Sequence, residues 1–150
     1  MKGNAVYQMS RLLERTNQFI IKELENKGIN DIVPSHGDIL YQLFQDEPLT
    51  MQEISKRIHR TKSTVTILVK KLEDKGYIER QKNEEDSRST LISLTEKGRA
   101  LHPIFEEISE NLQERLYGGY SRGQVIMFEE LLEIAYDRFN PENIEEEIES

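Results

Sequence analysis

The chain alternates between stretches in which apolar residues recur every three or four positions and short polar breaks. The first stretch places its apolar residues on one side of a helix: Val6, Met9, Leu13, Ile20 and Leu24. Gly28 follows at a position where a helix end favours a left-handed residue. A second stretch begins at Pro34 and stops at the turn-forming sequence Asp46-Glu47-Pro48. The pattern predicts a long first helix and a short second helix.

Two further short helices are predicted around a turn of about three residues. Thr50 and Glu53 have the spacing of a capping box, in which the hydroxyl accepts from the backbone N–H of Glu53 and the carboxylate reaches back. Thr61 can cap the next helix, which Gly76 ends. The apolar residues of that helix follow helical spacing: Val65, Leu68, Val69 and Leu72. Together these signals describe a helix-turn-helix.

A two-stranded hairpin is predicted directly after the second of these helices. Residues 77–82 and 90–94 have the short, partly alternating pattern of strands, and residues 83–89 between them are polar throughout. Helix, turn, helix and then a hairpin with a polar tip is the winged form of the motif. Thr95 is expected to cap a further helix that continues to about Tyr117.

The last predicted helix begins at Ser121, which forms a capping box with Gln124, and ends at Asn140-Pro141. The fold class expected is mainly α with a small β wing, and 150 residues suit a single domain. In this domain the winged helix-turn-helix covers about 35–98, and flanking helices cover about 1–28 and 99–139. An acidic tail, 140–150, completes the chain. Because the flanking helices carry more apolar surface than a small winged helix can cover, we expect them to form a homodimer.

Charge is distributed unevenly along the chain, whose formal net charge is −8. The first and last fifty residues carry −2 and −10, whereas the middle fifty carry 12 basic and 8 acidic residues, a net +4. A basic region between acidic ends suits a phosphate backbone, because local field decides where DNA can dock.

The absence of Cys excludes disulfides, thiolate zinc sites and thiol nucleophiles. No phosphate-binding Gly-rich loop or nucleophile elbow appears, so neither an enzyme nor a cofactor is expected.

The helix after Thr61 has the two faces that a DNA-reading helix needs. Its apolar face can be anchored in a core, while its other face is small, polar and basic, which suits base edges and phosphates in the major groove. The expected DNA-binding residues of this region are Arg60, Lys62, Ser63, Thr64, Thr66, Ile67, Lys70 and Lys71. An isolated surface helix can also carry such charges only to stay solvated. The neighbouring helix, hairpin and basic region favour the DNA-binding interpretation.

Residues 54–58 and 61–78 resemble the recognition unit of the MarR (multiple antibiotic resistance regulator) family, and residues 86–88 and 92–98 resemble its wing and the helix that follows. The resemblance implies groove and backbone contacts from the polar side chains after Thr61. It also implies that Arg88 enters the minor groove and that Asp86 orients it. Ser87 stands where the family often has a first wing arginine, and Ile67 where many members have Arg. We therefore expect Ile67 to contact thymine methyl groups.

Three alternatives stay open from the sequence. Asp86 and Arg88 can form a hairpin salt bridge. The winged helix can be a protein-interaction module without specific DNA binding, with its acidic terminal helices as the active surface. A small-molecule or metal-binding protein without DNA activity is the third alternative.

The resemblance also implies a small-molecule effector in a cavity, for which the candidate lining residues are Met9, Leu13, His36 and Leu40. Ordinary surface hydrogen bonding is the alternative role for His36. His36, His59 and His102 lack the spacing of a zinc site, so no metal is expected. The chain has neither an N-terminal apolar signal region nor a membrane span, and a cytoplasmic location is expected.

Overall fold

The computed structural model describes residues 3–141, and the predicted acidic tail lies outside the described residues apart from Asn140 and Pro141. The chain divides after Leu112 into two compact units. The helices are α1 (Ala5–Asn26), α2 (Pro34–Gln45), α3 (Met51–Ile58), α4 (Lys62–Asp74), α5 (Glu96–Arg99), α6 (His102–Tyr117) and α7 (Arg122–Arg138). The strands are β1 (Leu49–Thr50), β2 (Ile78–Lys82) and β3 (Thr90–Leu94). The predicted fold class, mainly helical with a small β wing, is confirmed.

The three strands form an antiparallel sheet in the order β1, β3, β2. β2 and β3 are the predicted hairpin, and their register pairs Ile78 with Leu94 and Lys82 with Thr90. β1 was not expected, because two residues cannot show an alternating pattern. It adds to the free edge of β3, where the buried Leu49 lies opposite Ile92.

The core of the first unit lies between α2, α3, α4 and the base of the sheet. Its largest fully buried side chains are apolar: Leu24, Ile39, Leu40, Leu43, Leu49, Ile54, Leu72, Ile78, Ile92, Val65 and Val69. The buried residues of α4 are among those that the helical spacing predicted. Burial of each such side chain contributes about 1.5–3 kcal/mol of transfer free energy, so this face fixes the orientation of α4.

The predicted helix from Thr95 to Tyr117 is wrong at one point, because it is divided into α5 and α6 at residues 100–101. Pro103 explains the break: proline has no N–H and cannot donate to the carbonyl of Arg99. The backbone forms a tighter turn of the 3₁₀ type instead, in which the N–H of Leu101 donates to the carbonyl of Gly98 at 3.1 Å. α5 packs against β3, and α6 begins after the break.

The second unit contains the end of α6 and the whole of α7. Ser121 caps α7 as predicted, since its hydroxyl accepts from the N–H of Gln124 at 3.2 Å and the Gln124 side chain accepts from the N–H of Ser121 at 2.9 Å. The Tyr117 hydroxyl donates to Glu129 at 2.8 Å, and this hydrogen bond raises the pKa of Tyr117. None of the residues of α7 is buried within the chain. Among the described residues no helix has the length and apolar character to cross a membrane.

Candidate nucleic-acid interface

Helix α4, which we call the recognition helix, presents one polar face to solvent. Thr61 caps it by accepting from the backbone N–H of Thr64 at 3.3 Å. Val65, Val69 and Leu72 anchor the opposite face in the core. The side chains predicted to contact DNA from this helix are all exposed: Lys62, Ser63, Thr64, Thr66, Ile67, Lys70 and Lys71. The structure therefore brings these residues together on one accessible surface.

The hydroxyl groups at the start of the recognition helix form a small network. The Thr61 hydroxyl lies 3.1 Å from the Ser63 hydroxyl and donates to the Thr64 hydroxyl at 2.9 Å. The Thr66 hydroxyl donates to the carbonyl of Lys62 at 2.8 Å. These hydrogen bonds hold the hydroxyl oxygens in place, and each oxygen retains a lone pair that can accept from a base amino group.

The cations of the recognition helix differ in their pairing. The Lys70 ammonium lies 2.7 Å from Asp74, one turn further on, and this hydrogen bond raises the pKa of Lys70. Lys62 and Lys71 form no ion pair with any residue in 3–141. A phosphate contact by Lys70 must therefore replace its contact with Asp74, whereas Lys62 and Lys71 have no such competitor.

The tip of the wing is organised by Asp86 through the backbone. Its carboxylate accepts from the N–H of Arg88 at 3.0 Å, and its carbonyl accepts from the N–H of Ser89 at 3.1 Å. In the part of the chain that the structure describes, no ion pair joins Asp86 to Arg88. Asp86 thus shapes the turn, and Arg88 is exposed at its tip.

Three contacts fix the end of the recognition helix and the segment that follows it, and sequence reasoning missed all of them. Arg80 at the base of the wing pairs with Glu73 at 3.1 Å. The Tyr77 hydroxyl donates to Asp31 at 2.8 Å, and burial together with this hydrogen bond raises the pKa of Tyr77 to about 12. Lys97 lies over the Tyr77 ring at 4.3 Å. None of these pairs leaves a periodic signal, because the partners are far apart in sequence or belong to different elements.

A cavity of about 430 Å³ lies in the first unit. Its lining comes from α1, the start of α2, the turn before α4 and α6, and it includes the apolar Leu13, Ile20, Ile32, Phe105 and Ile108. Asp38 and Arg60 supply charge. Loss of hydration raises the pKa of Asp38, and the nearby Arg60 guanidinium opposes that shift. Arg60 therefore lines this cavity and also directly precedes Thr61, the cap of the recognition helix.

Of the four residues expected in an effector cavity, Leu13 lines this one, and the other three are not in its lining. Leu40 is fully buried in the core, where α2 packs, and Met9 is exposed on α1. His36 is buried, so the alternative of a histidine that makes surface hydrogen bonds is wrong. Its Nδ1 accepts from the backbone N–H of Val33 at 3.3 Å and so caps the start of α2.

The other two histidines lie in different surroundings. His59 ends α3 in the left-handed conformation, with φ 54°, at the predicted turn. His102 stacks on Phe44 with ring centroids 4.7 Å apart, and its Nε2 lies 3.1 Å from Glu106. Within residues 3–141 no three His, Asp or Glu side chains are grouped as metal ligands.

Comparison with known proteins finds relatives of the family that the sequence motifs resemble, and they match most of the chain. The family model of the MarR family matches residues 32–90. The HTH-type transcriptional regulator SarZ of Staphylococcus haemolyticus (strain JCSC1435) is 33% identical over 108 residues, which cover 71% of this chain and 74% of that protein. SarZ of Staphylococcus epidermidis (strain RP62A) is 35% identical over 74 residues, which cover 49% of this chain. The matched part of the chain spans 50%, about half, of the length of that relative.

Among solved structures, the crystal structure of the S. aureus MepR–DNA complex superimposes with a TM-score of 0.82 at 26% identity. The match covers 90% of this chain and 98% of MepR. The winged helix and its polar recognition helix therefore indicate the same family as these relatives do. The chain belongs to the MarR family of transcriptional regulators, and not to a family of enzymes.

Proposed function

We propose that the protein is a homodimeric repressor that binds a near-palindromic site in double-stranded DNA. The observation that carries this proposal is the recognition helix, whose apolar face is locked in the core while its exposed face offers lysines, hydroxyls and Ile67. An α-helix with such a face fits the major groove, which is about 12 Å wide. The MepR–DNA complex, a structure of a related fold, supports this use of the winged helix.

Each predicted contact has a role in the proposed complex. Ser63, Thr64 and Thr66 meet base edges or phosphates, and Ile67, 58% exposed, contacts thymine methyl groups. Arg88 enters the adjacent minor groove, where narrow A·T-rich segments concentrate negative potential. Asp86 orients Arg88 by fixing the turn of the wing. Arg60, Lys62, Lys70 and Lys71 bind phosphates and set the register on the duplex.

Dimerisation is supported by apolar surface that each unit leaves exposed. On α1 the exposed residues are Val6, Tyr7, Met9, Leu12, Leu13 and Ile21. On α7 they are Ile126, Met127, Leu131, Leu132, Ile134 and Tyr136. Extensive exposure of large apolar side chains favours a protein–protein interface. We propose that residues 1–28 and 101–139 form it, within one domain, and that the dimer places two recognition helices about 34 Å apart for successive major grooves.

The test is selection of bound fragments from the source genome, followed by binding measurements over a range of salt concentrations. If a dimer neutralises about eight phosphates, log K falls with log salt with a slope of about −7. A selected operator should bind about 10³-fold or more tightly than unrelated DNA. Equal, salt-insensitive binding to all fragments would favour a protein-interaction module. A promoter-binding protein acts where the DNA lies, so we place it in the cytoplasm.

We also propose that a small-molecule effector binds the 430 Å³ cavity, within the size range of ligand sites. Because the cavity has an apolar lining and a guanidinium from Arg60, it suits an organic acid that has an apolar body and one carboxylate. Such a ligand draws Arg60 away from phosphate and weakens DNA binding. Thermal unfolding with a panel of organic acids tests this proposal. A stabilising acid should lose its effect in Arg60→Gln, and no stabilisation by any acid would count against the proposal.

A further inference from the structure

His36 is a buried titratable group in a position that disfavours its protonated form. Its side chain is 3% exposed, in the first turn of α2. Nδ1 accepts from the N–H of Val33, so Nδ1 carries no proton and the neutral imidazole carries its proton on Nε2. Protonation places an N–H on Nδ1 as well. Two donors then face each other, and the cap of α2 is lost.

The charges around His36 also oppose a positive imidazole. Lys75, directly after the recognition helix, and Lys71, within it, act on His36, and Asp31 acts on it from the loop before α2. The Lys75 ammonium is held in place because it donates to the carbonyl of Asp31. Asp31 compensates only in part, since its carboxylate already accepts from the Tyr77 hydroxyl at 2.8 Å. The positive end of the α2 dipole adds to the repulsion.

These contacts lie where α2, the loop before it and the recognition helix meet. Val33, whose N–H His36 caps, lines the cavity together with Ile32 and Pro34. Asp31, two residues before Val33, binds Tyr77, which lies three residues beyond the end of the recognition helix. Loss of the cap therefore loosens a segment that lines the cavity and is attached to the residues that follow the recognition helix.

We propose that His36 is a pH-sensitive contact: its neutral form holds the start of α2 against the recognition helix, and its protonation releases it. The consequence for DNA binding rests on the proposed function, whereas the consequence for folding does not. Burial, followed by Lys75 and Lys71, lowers the pKa of His36 in the folded chain below its ordinary value. The unfolded chain, with a histidine pKa of about 6.5, thus takes up the proton first.

The sign of the effect follows from this order. Above about pH 6.5 both states leave His36 neutral, and its full stabilising contribution is present. As the pH falls below 6.5, only the unfolded chain gains the proton, so the stability falls. The ratio of unfolded to folded protein then rises by up to about tenfold per pH unit until the folded-state pKa is reached.

The experiment compares the full-length wild type with His36→Gln, in which the side-chain carbonyl can accept from the N–H of Val33 but does not titrate. His102→Gln, which removes a half-buried histidine far from Val33 in sequence, is the control. Denaturant unfolding is measured between pH 7.5 and 5.5. Wild type and His102→Gln should show the additional loss of stability as the pH falls, and His36→Gln should not. Identical pH profiles for wild type and His36→Gln would overturn the proposal.

Two measurements keep the test decisive if His36→Gln does not fold. In wild type, the NMR titration of the His36 ring should have its midpoint below pH 6.5, and the Val33 amide should lose exchange protection in the same range. A midpoint at or above 6.5 overturns the proposal.

On a selected operator, wild type should lose more affinity than His36→Gln between pH 7.5 and 5.5. Equal losses of affinity would show that protonation of His36 does not affect DNA binding. If neither protein binds DNA at pH 7.5, the proposed function is contradicted, while the unfolding result stands.

Discussion

The cations of the interface are not equally available to DNA. Arg88 extends from a turn that Asp86 stabilises through a backbone hydrogen bond, and no described residue forms an ion pair with its guanidinium. Lys70, in contrast, is paired with Asp74 at 2.7 Å. Because the Lys70 pair is exposed, exchanging its carboxylate for a phosphate costs little. Substitution of each residue should therefore affect binding in a different way.

Arg88→Ala should weaken binding of the operator by about 1–3 kcal/mol without lowering the stability of the free protein. The side chain has no ion pair to lose within the described chain, so the effect is confined to the complex. Arg88→Lys keeps the charge and should recover part of the affinity, and Ser87→Ala is the neighbouring control. Fluorescence anisotropy with operators that differ only at the minor-groove position measures the effect. Unchanged affinity in Arg88→Ala would remove the wing from the interface.

Asp74→Asn should strengthen DNA binding and increase the dependence on salt. The substitution removes the acid that competes with phosphate for Lys70, and it removes one negative charge near the duplex. Lys70→Ala should weaken binding to all sequences about equally, by about 1–3 kcal/mol. The double variant separates the two effects, because Asp74→Asn can release Lys70 only where Lys70 is present. If Asp74→Asn weakens binding, Lys70 does not use phosphate in this way.

At the scale of elements, the features that the sequence predicted are those with local causes. The caps formed by Thr50, Thr61 and Ser121 each depend on residues three positions apart, and all three are present. The break before α6 also has a local cause in Pro103, which the apolar periodicity concealed. β1 could not be predicted, because its two residues become a strand only through pairing with β3.

The exposed residues of the candidate interface could be predicted because helical spacing separates the buried face of α4 from the polar one. The contacts that hold α4 in place could not. Asp31 and Tyr77 are brought together by the packing of α2 and the sheet, and burial of His36 depends on the same packing. Sequence spacing carries no information on contacts between such distant positions. The cavity was only partly predicted for the same reason, since Leu13 lines it but Leu40 lies in the core.

Gly98 in α5 lies close to the backbone of Tyr77, the residue before β2. A Cβ there would lie 2.1 Å from the carbonyl oxygen of Tyr77, which is backbone and cannot rotate away. Gly98→Ala should therefore destabilise the protein by roughly 1–3 kcal/mol, the usual cost of overpacking. In Gly123→Ala on α7 the nearest atom is the Ser121 hydroxyl at 3.9 Å, so this control should not be destabilised. Equal unfolding midpoints for the two variants would show that the close approach relaxes without cost.

At the scale of the whole molecule, the chain combines a winged helix that has a complete core with helices that lack one. The first unit buries its apolar residues between α2, α3, α4 and the sheet. The second unit leaves most of its apolar side chains on α7 exposed, and none of them is buried. In the proposed homodimer, a second copy of this 17.6 kDa chain would supply the missing burial by symmetry.

Leu131→Glu should convert the protein into a monomer and leave the winged helix folded. Leu131 is 57% exposed on α7, so the substitution removes no contact from the core of the chain, but in a dimer interface it would bury a carboxylate among apolar side chains. Glu133→Gln, on the same helix, should stay dimeric. Sedimentation equilibrium at micromolar concentration should give about 17.6 kDa for Leu131→Glu and twice that mass for wild type. The monomer can fill only one half-site at a time and should lose about 10²-fold or more in operator affinity, because linkage of the two half-sites is lost. A wild-type protein that sediments as a monomer would contradict the interface, whereas a dimeric Leu131→Glu would exclude this part of α7 from it.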